Sequence, residues 1–378
     1  MRGVFAGSLL LVLGAMNASA ATVTLRVTVP EATPAGDTVY LTGDFQGWRS
    51  DDPDFALEDR GGGVLGITFE VETGTRIAFR FTRGSDATAE RGPSGEEVRR
   101  MLRIDGGRDL DLRVAGWADV IETVERTLTG DVTEHTVAGL LDGRRVWVYL
   151  PPGYHESDEH YPVHYMLDGQ NVFDASTSFV GEWEVDETCE RLIAAGEIAP
   201  IVVVALDNGG TRRAHEYTPT VDRGRGVGGG ADAHFAAIRE VLMPWVEAEF
   251  RVGTGPRDTG FSGSSLGGLM SLLAAFEHAE AFGRIGAISP SLWWDDRVIL
   301  RRIEDAAKPD VRLWVDMGSD EGSTQQSDQA YVDDLRALED LLLAKGFAAG
   351  EDLRVLVDGG ARHDERWWGA RYDRVLRF

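Results

Sequence analysis

The feature that most constrains the fold is a Gly-Ser-Ser-Leu-Gly sequence at residues 263–267. A strand-like run at 259–262 precedes it, and an apolar helical stretch follows from Leu266 to about Glu277. In a Gly-x-Ser-x-Gly turn of this kind the serine lies at a sharp bend, where flanking side chains would clash with neighbouring backbone. The N-terminus of the following helix favours developing negative charge. The pattern predicts a nucleophilic Ser265, although the pentapeptide alone is also compatible with an ordinary Gly/Ser turn.

The start of the chain predicts export. The 378 residues are enough for two domains. Arg2 is followed by an apolar stretch at 4–15 and by small residues at 18–20. A basic start, an apolar stretch too short to cross a bilayer and a small-residue cleavage site are typical of a signal peptide, whereas a membrane anchor needs a longer run. We therefore expect residues 1–20 to be removed and the mature chain to reach the periplasm or the extracellular space.

Charge and composition exclude several classes of partner. The chain has 63 acidic and 38 basic residues and a formal net charge of −25. Nucleic acids and anionic membranes both require a basic face, so neither is expected to bind. Cys189 is the single cysteine, so no intrachain disulfide can form. The histidines around residues 155–164 lack metal-site spacing, and we predict no metal and no cofactor.

Two different patterns divide the chain. Residues 21–115 contain short alternating runs between Gly, Asp and Pro, which are typical of an antiparallel β-sandwich. Residues 116–127 are predicted to be a linker. From 128 to 378, apolar strands alternate with helices, which predicts an α/β-hydrolase fold when combined with the serine turn. The predicted strands of this half are 145–150, 163–167, 201–206, 259–262, 285–289, 313–317 and 353–357.

Two helices of the second half have recognisable signals. Asp232 is predicted to cap a helix that extends to Phe250 and is kinked at Pro244. Asp328 is predicted to cap another, whose apolar residues recur at steps of three and four. We assign no chemistry to these apolar stripes, since they are typical of a core.

The histidine that activates Ser265 can be selected by chain order. A serine hydroxyl needs a base, and the base needs an acid to orient it. In α/β-hydrolases the order is serine, acid, histidine, and only His278 and His363 follow Ser265. His278 ends the helix after the turn, whereas His363 follows the strand 353–357 in a Gly-rich loop. His363 is therefore the predicted base.

The acid is expected after the strand 313–317. Asp320 and Glu321 are adjacent there, and either satisfies the chemistry. Because successive residues point in different directions, only one of them can face His363. Asp316 lies inside the strand and is a weaker candidate.

The second half resembles the esterase D, feruloyl esterase and enterochelin esterase group of α/β-hydrolases over residues 128–378. The motifs that carry the resemblance are Leu167-Asp168-Gly169-Gln170-Asn171, Asp207-Asn208-Gly209, Arg213 with Glu216-Tyr217-Thr218-Pro219, Gly263-Ser264-Ser265-Leu266-Gly267-Gly268, Ser289-Pro290-Ser291-Leu292-Trp293-Trp294, and His363 with Glu365 and Trp367. Several motifs in the right order are more specific than the serine turn alone. In that family the acid is commonly the third residue after the glycine of a Gly-Ser/Thr-x-acid loop, which implies Glu321.

The first half resembles the starch- and glycogen-binding-type immunoglobulin-like modules. The resemblance rests on Gly-Asp-Phe-Gln-Gly-Trp at 43–48 and on residues 79–85. In those modules an aromatic pair stacks on sugar rings, but here only Trp48 is evident. Trp48 either packs within the sandwich or stacks on a glycan. The sandwich therefore serves as a sugar binder, a spacer or a wall of the active site.

Two backbone N–H groups are expected to receive the oxyanion. One belongs to Leu266, directly after the serine. The family resemblance implies that the other is near Gln170, in the turn after the strand 163–167. An ordinary Asp-Gly turn is the alternative interpretation of that segment.

Substrate contacts are expected from five residues. Trp293 and Trp294 either wall an aromatic or acyl pocket or pack in the core. Arg213 and Glu216 either pair with each other at the pocket rim or hold a polar substrate group, and Asn208 is a similar candidate.

These observations predict an exported serine carboxylic-ester hydrolase acting on a small-molecule or carbohydrate ester. The resemblance implies hydroxycinnamoyl or acetyl esters of plant polysaccharides, or the esters of a catecholate siderophore. Export and the glycan-module-like sandwich favour carbohydrate esters, and the acidic surface disfavours an anionic ferric siderophore. An acyltransferase would use the same residues. A glycan-binding protein with an inactive hydrolase half is the non-enzymatic alternative, which the complete serine, acid and histidine set disfavours.

Overall fold

The computed structural model describes residues 20–61, 63–92, 98–120, 126–178, 181–322 and 324–378. They belong to two compact units, Met1–Thr123 and Val124–Phe378. The predicted signal peptide up to residue 19 and residues 121–125 of the predicted linker lie outside the described residues. Within the described residues, no helix combines the length and apolar character needed to cross a bilayer.

The regular structure of the first unit consists of strands and short 3₁₀ turns over its described residues. A four-stranded sheet has the order β3-β4-β1-β8, a three-stranded sheet has the order β2-β5-β7, and β6 pairs with β9. The last pair extends the unit past residue 115 into the segment predicted as linker. The strands are β1 (Ala20–Thr28), β2 (Tyr40–Gly43), β3 (Glu58–Asp59), β4 (Val64–Glu72), β5 (Arg76–Thr82), β6 (Glu90–Arg91), β7 (Arg100–Arg103), β8 (Arg108–Arg113) and β9 (Gly116–Trp117).

Period-two alternation builds the core of this unit. Val23, Leu25 and Val27 are buried on one face of β1, and they share a core with Leu41 of β2 and Phe81 of β5. This pattern agrees with the all-β structure expected for the first unit, over its described residues. The immunoglobulin-like assignment stays a prediction.

Trp48 is half-buried, with two guanidinium groups beside its ring. The Arg80 carbon lies 5.9 Å and the Arg99 carbon 5.1 Å from the ring centroid. Protein cations thus contact the ring that would stack on a sugar, which favours packing over glycan binding.

The second unit is built on an eight-stranded sheet with the order β10-β11-β13-β12-β16-β17-β18-β19. The pairs β10–β11 and β11–β13 are antiparallel, and the remaining pairs are parallel. A separate hairpin pairs β14 with β15. The strands are β10 (Asp131–Thr136), β11 (Arg145–Leu150), β12 (Val163–Leu167), β13 (Val202–Leu206), β14 (Val221–Asp222), β15 (Val227–Gly228), β16 (Thr259–Ser264), β17 (Arg284–Ile288), β18 (Arg312–Gly318) and β19 (Leu353–Asp358).

Helices cover both faces of this sheet. The helices are α1 (Val185–Ala194), α2 (Arg213–Glu216), α3 (Ala231–Ala237), α4 (Met243–Glu249), α5 (Leu266–Glu277), α6 (Trp294–Asp305), α7 (Gln325–Ala344) and α8 (Glu365–Arg377). In β13, Val202, Val204 and Leu206 pack into one hydrophobic cluster, whereas Val203 and Ala205 pack into another. A strand with two buried faces needs apolar residues throughout, which is why these strands were visible as continuous apolar runs.

Two predicted helix starts are wrong. Asp328 does not cap α7. The cap is Thr324, which accepts the Ser327 N–H, while the Asp328 carboxylate accepts the Gly322 N–H at 2.5 Å. The other helix begins at Ala231, before Asp232.

A π-helical segment precedes Pro244, the residue at which a kink was predicted. Ile238–Leu242 is wound as a π-helix between α3 and α4, and Pro244 stands in the first turn of α4. Proline has no N–H to donate to the preceding turn, and the wider winding accommodates that missing hydrogen bond.

Two neighbouring carboxyl groups are held in the interior at the start of α1. Asp186 is fully buried and accepts the Thr129 N–H at 2.7 Å. The Thr129 hydroxyl donates to Glu187 at 2.9 Å. Burial, followed by the neighbouring Glu187 carboxyl group, raises the pKa of Asp186 to about 8.

This raised pKa predicts a pH-dependent stability. An unfolded aspartate titrates near about pH 4. Between about pH 4 and 8 the folded chain holds a proton that the unfolded chain has released, so the free energy of unfolding falls as pH rises through that window. Asp186→Asn removes this titration. Between about pH 5 and about pH 8, we therefore expect the free energy of urea unfolding to fall by about 1–3 kcal/mol less in this variant than in the parent protein.

The exposed Glu184→Gln exchange, two residues away, serves as the control and should follow the parent protein. An equal decline in Asp186→Asn and the parent would contradict the prediction.

Candidate active site

Ser265 lies between β16 and α5 with an unusual backbone conformation. Its φ is 58° and its ψ is −117°, in a region that residues with a side chain rarely occupy. A Cβ added at Gly263 would meet the backbone of Gly267 at 2.9 Å, and one at Gly268 would meet the Ile288 carbonyl at 2.7 Å. The close approach of the surrounding backbone therefore requires glycine at 263, as the sequence pattern predicted, and also at 268. A Cβ at Gly267, the second glycine of the pattern, would meet its nearest atom, an Asp168 carboxylate oxygen, at 3.5 Å, so the predicted clash is wrong at that position.

Ser265, His363 and Glu321 are joined by two hydrogen bonds. The Ser265 Oγ lies 2.9 Å from His363 Nε2, and His363 Nδ1 lies 2.8 Å from Glu321 Oε2. His363 belongs to the loop between β19 and α8, and Glu321 follows β18. One ring nitrogen thus faces the serine and the other faces the acid, which is the arrangement needed to move a proton from the hydroxyl.

The geometry distinguishes the three candidate acids. The Glu321 side chain is 1% exposed and contacts His363. Asp320 is half-exposed, and its carboxylate lies 3.3 Å from Arg362. Asp316 is buried within β18 and pairs with Arg371. Only Glu321 among these three is hydrogen-bonded to His363.

The other oxygen of the Glu321 carboxylate is also held. Glu321 Oε1 accepts the Gly318 N–H and the Ser289 hydroxyl, each at 2.5 Å. The Trp368 indole donates to the same Ser289 oxygen at 3.0 Å, and its ring meets the His363 ring edge-on at 4.9 Å. The carboxylate and the imidazole are therefore both restrained by neighbouring groups.

Both residues expected to supply oxyanion N–H groups lie at the start of a helical segment. Leu266 is the first residue of α5, so its N–H has no acceptor within that helix. Gln170 is in the 3₁₀ turn Gly169–Asn171, directly after Asp168 at the end of β12. A Cβ at Gly169 would meet the Ala205 backbone at 2.6 Å, so this turn packs closely on β13. Their role as oxyanion donors remains a prediction.

Arg213 and Asn208 hold the turn that contains Gln170. The Asp168 carboxylate accepts two N–H groups of Arg213, at 2.6 and 2.7 Å, and the Asn208 amide at 2.7 Å. The Arg213 guanidinium also donates to the Ser264 carbonyl at 3.3 Å, next to the nucleophilic turn. Sequence reasoning did not assign Asp168 a role, although it lies in the 167–171 motif.

The predicted pair between Arg213 and Glu216 is wrong. Glu216 is buried and instead pairs with Arg144 at 2.9 and 3.0 Å. Burial opposes ionisation here, but the hydrogen bonds and charge of Arg144 outweigh it, and the pKa of Glu216 is lowered. With both oxygens engaged by Arg144, Glu216 supports the interior and is not available to hold a substrate group.

The two tryptophans have different environments. Trp294 is 1% exposed, and its indole donates to the Thr220 carbonyl at 3.1 Å, so the expectation that it walls a pocket is wrong. Trp293 is half-buried, with the Arg225 guanidinium 4.4 Å from its ring centroid. It lies two residues after Ser291, whose hydroxyl is 3.4 Å from the Ser265 hydroxyl. Trp293 therefore remains a candidate substrate contact.

Metal ligands do not cluster in the part of the chain that the structure describes. No three or more histidine, cysteine, aspartate or glutamate side chains converge there in a way that could hold an ion.

The family of the chain follows from comparison with known proteins. A protein-family model described as Esterase matches residues 140–377, more than half of the sequence. The chain belongs to the esterase family. The resemblance of its second half to these enzymes is confirmed, and the protein is a carboxylic ester hydrolase.

Curated relatives of this esterase include an uncharacterised protein and a siderophore esterase. The Bacillus subtilis protein YbbA, which is uncharacterised, is 26% identical over 257 residues, covering 66% of this chain and 96% of YbbA. The iron(III) salmochelin esterase of Escherichia coli O6:H1 is 27% identical over 251 residues, covering 61% of this chain. The match spans about half the length of that relative, 53%.

Solved structures of esterases share the fold. The enterobactin esterase FES of Shigella flexneri, solved in the presence of enterobactin, gives a TM-score of 0.54 at 18% identity, covering 90% of this chain and 87% of that one. A ferulic acid esterase gives 0.52 at 18% identity, with coverages of 66% and 98%. At these identities the similarity establishes an esterase-like α/β fold.

A buried acid beside the Gln170 turn predicts a pH dependence of activity. Glu365 begins α8 and accepts the Asn171 amide at 3.0 Å. Burial, together with the negative charge of Asp168, raises the pKa of Glu365 to about 7. Above that pH a new negative charge would stand close to the turn expected to bind the oxyanion.

We therefore expect ester hydrolysis by the parent enzyme to decline above about pH 7, by about threefold to tenfold, because this charge opposes the oxyanion. Glu365→Gln keeps an oxygen for Asn171 but does not ionise, so its kcat should stay level. The measurement is a pH profile of kcat, with the exposed Glu351→Gln as control. The same alkaline decline in Glu365→Gln would rule out Glu365 as its source.

Proposed function

We propose that this esterase is a serine hydrolase in which Ser265, His363 and Glu321 are the catalytic nucleophile, base and acid. The observation that carries the proposal is the pair of hydrogen bonds, 2.9 and 2.8 Å, that joins the three side chains at the strained turn after β16. No other serine among the described residues is hydrogen-bonded to His363. Membership of the esterase family indicates that the reaction is ester hydrolysis, and the geometry supports these three residues as the catalytic groups.

The reaction begins with attack of the Ser265 oxygen on the ester carbonyl carbon. His363 Nε2 takes the hydroxyl proton as the new carbon–oxygen bond forms, and Glu321 stabilises the resulting imidazolium through Nδ1. The Leu266 and Gln170 N–H groups receive the negative carbonyl oxygen. Collapse of this intermediate breaks the bond to the alcohol, which leaves with the proton from His363, and Ser265 carries the acyl group.

Water completes the cycle on the acyl-enzyme. His363 takes a proton from the attacking water, and a second tetrahedral intermediate forms on the same two N–H groups. Its collapse releases the carboxylic acid and returns the proton to Ser265. An alcohol acceptor in place of water would make the enzyme an acyltransferase.

For the substrate, we propose aromatic or acetyl esters of carbohydrates, such as feruloyl esters. The partial exposure of Trp293 and its position two residues after Ser291, whose hydroxyl lies 3.4 Å from that of Ser265, support an aromatic acyl group. The fold is shared with a ferulic acid esterase. Siderophore esters are the second candidate, supported by the salmochelin esterase relative and the FES fold. We also propose that residues 1–20 direct export and that the first unit is related to the glycan-binding modules that it resembles.

Removal of the nucleophile is the first test. Ser265→Ala should lower kcat by at least about 10⁴-fold, because the binding groups and N–H donors that remain provide only residual catalysis. Glu321→Gln should lower kcat by about 10²–10⁴-fold, whereas the matched exchange Asp320→Asn next to it should have little effect. The measurement is hydrolysis of p-nitrophenyl acetate and methyl ferulate. Equal activity of Ser265→Ala and the parent would refute the proposed nucleophile.

The aromatic preference can be tested at Trp293. Trp293→Ala should raise KM for methyl ferulate by about tenfold, because ring stacking is lost, and leave KM for p-nitrophenyl acetate within about twofold. A cyclic dihydroxybenzoyl-serine ester in the same panel separates the two substrate classes. If that ester has the higher kcat/KM in the parent enzyme, the carbohydrate-ester proposal is wrong and the siderophore alternative holds.

A further inference from the structure

A buried arginine stands behind the acid of the site. Arg371 lies in α8, eight residues after His363, and its side chain is 1% exposed. Its Nη2 donates to the Ser289 hydroxyl oxygen at 2.7 Å and lies 3.6 Å from Glu321 Oε1. The same guanidinium donates to Asp316 Oδ1 at 2.9 and 3.0 Å. Arg371 thus contacts both the serine that holds Glu321 and a second buried carboxylate.

The contacts of Ser289 determine the direction of its own hydrogen bond. A serine hydroxyl has one hydrogen and two lone pairs. The Ser289 oxygen accepts from Arg371 Nη2 and from Trp368 Nε1, which uses both lone pairs. Its hydrogen is therefore left for Glu321 Oε1, 2.5 Å away. Because the Gly318 N–H also binds Oε1, the carboxylate is fixed with Oε2 towards His363.

The backbone of Ser289 has a strained conformation at the residue that makes these contacts. Its φ is 42°, and it follows β17 at the same sheet edge as the turn of Ser265. A residue other than glycine keeps such a conformation only where the surrounding contacts hold it there. The Ser289 N–H is bound as well, by the Asp316 carbonyl at 3.0 Å.

We propose that Arg371 is a positioning residue of the Ser265 site, acting through Ser289 to keep the Glu321 carboxylate aimed at His363. The proposal rests on the proposed function of the three catalytic residues. Taking a carboxylate out of water is unfavourable unless a charge and hydrogen bonds compensate. Arg371 supplies the positive charge and, through the oriented hydroxyl, one of the hydrogen bonds.

The competing interpretation is a purely structural pair. Arg371 and Asp316 could do no more than attach α8 to β18, and loss of Arg371 would then destabilise the enzyme by leaving the Asp316 charge buried and unpaired. A double exchange distinguishes the two interpretations. Asp316→Asn combined with Arg371→Met removes both charges, so the destabilising buried charge is absent while the contact to Ser289 is still missing.

The experiment compares kcat, KM and urea unfolding for Arg371→Met, the double variant and Ser289→Ala. Arg371→Met should lose stability, and its kcat should fall by about 10–100-fold, as when a partner behind a functional residue is removed. The double variant should regain most of the stability but keep the low kcat, with KM within about threefold of the parent. Ser289→Ala should lower kcat by about tenfold or more, since it removes the hydroxyl that connects Arg371 to Glu321.

Arg371→Lys retains the charge without the two-pronged geometry and should rescue part of kcat. Tyr372→Phe is the matched control in the same helix turn. Tyr372 is buried and bonds Ser262 at 2.7 Å and His164 at 2.9 Å, so its loss should reduce stability and leave kcat unchanged.

Two results would overturn the proposal. If the double variant recovers kcat together with stability, Arg371 is only structural. If Ser289→Ala keeps the parent kcat, Arg371 does not act on Glu321 through the Ser289 hydroxyl. Both are distinct from failure of the proposed function, in which Ser265→Ala would remain as active as the parent.

Discussion

The site depends on the parallel order of neighbouring strands. β12, β16, β17, β18 and β19 run in the same direction through consecutive pairings, so their carboxyl ends meet at one edge of the sheet. Asp168, Ser265 and Ser289 directly follow three of these strands, and Glu321 and His363 stand in the loops after the other two. Residues up to 195 positions apart in the chain, such as Asp168 and His363, are thereby assembled without any local sequence contact.

Buried charges fix these loops in place. Asp168 is held by Arg213, Glu216 by Arg144, and Asp316 by Arg371. Such pairs add little net stability, since desolvation offsets much of their attraction, but losing one partner is costly. Their effect here is geometric. The Asp168–Arg213 pair holds the turn that carries Gln170, and in the Asp316–Arg371 pair the guanidinium lies 3.6 Å from a carboxylate oxygen of Glu321.

Sequence reasoning failed where a partner is distant in the chain. Arg213 and Glu216 were expected either to pair with each other or to hold a substrate group, but their actual partners lie 45 and 72 residues away. Trp293 and Trp294 were given the same two alternatives, a pocket wall or core packing, yet neighbouring side chains point in different directions and only Trp293 of the two is partly exposed. Arg371 had no signal in the sequence, since an arginine in an amphipathic terminal helix usually faces solvent.

The sequence by itself determined the α/β class of the second half, the strained turn at Ser265 and the choice of His363. These depend on local requirements: apolar runs for doubly buried strands, glycines where a Cβ would clash, and a fixed chain order. The residues themselves left Asp320 and Glu321 open as the acid, the family resemblance implied Glu321, and the tertiary structure shows that Glu321 contacts His363. Tertiary structure alone decided which buried charges are paired. Asp320 and Glu321 are chemically equivalent neighbours, and the loop that follows β18 turns only Glu321 inward, to the imidazole and to Ser289. Hydrogen bonds between distant loops depend on side-chain direction in space, which one chain's local pattern does not contain.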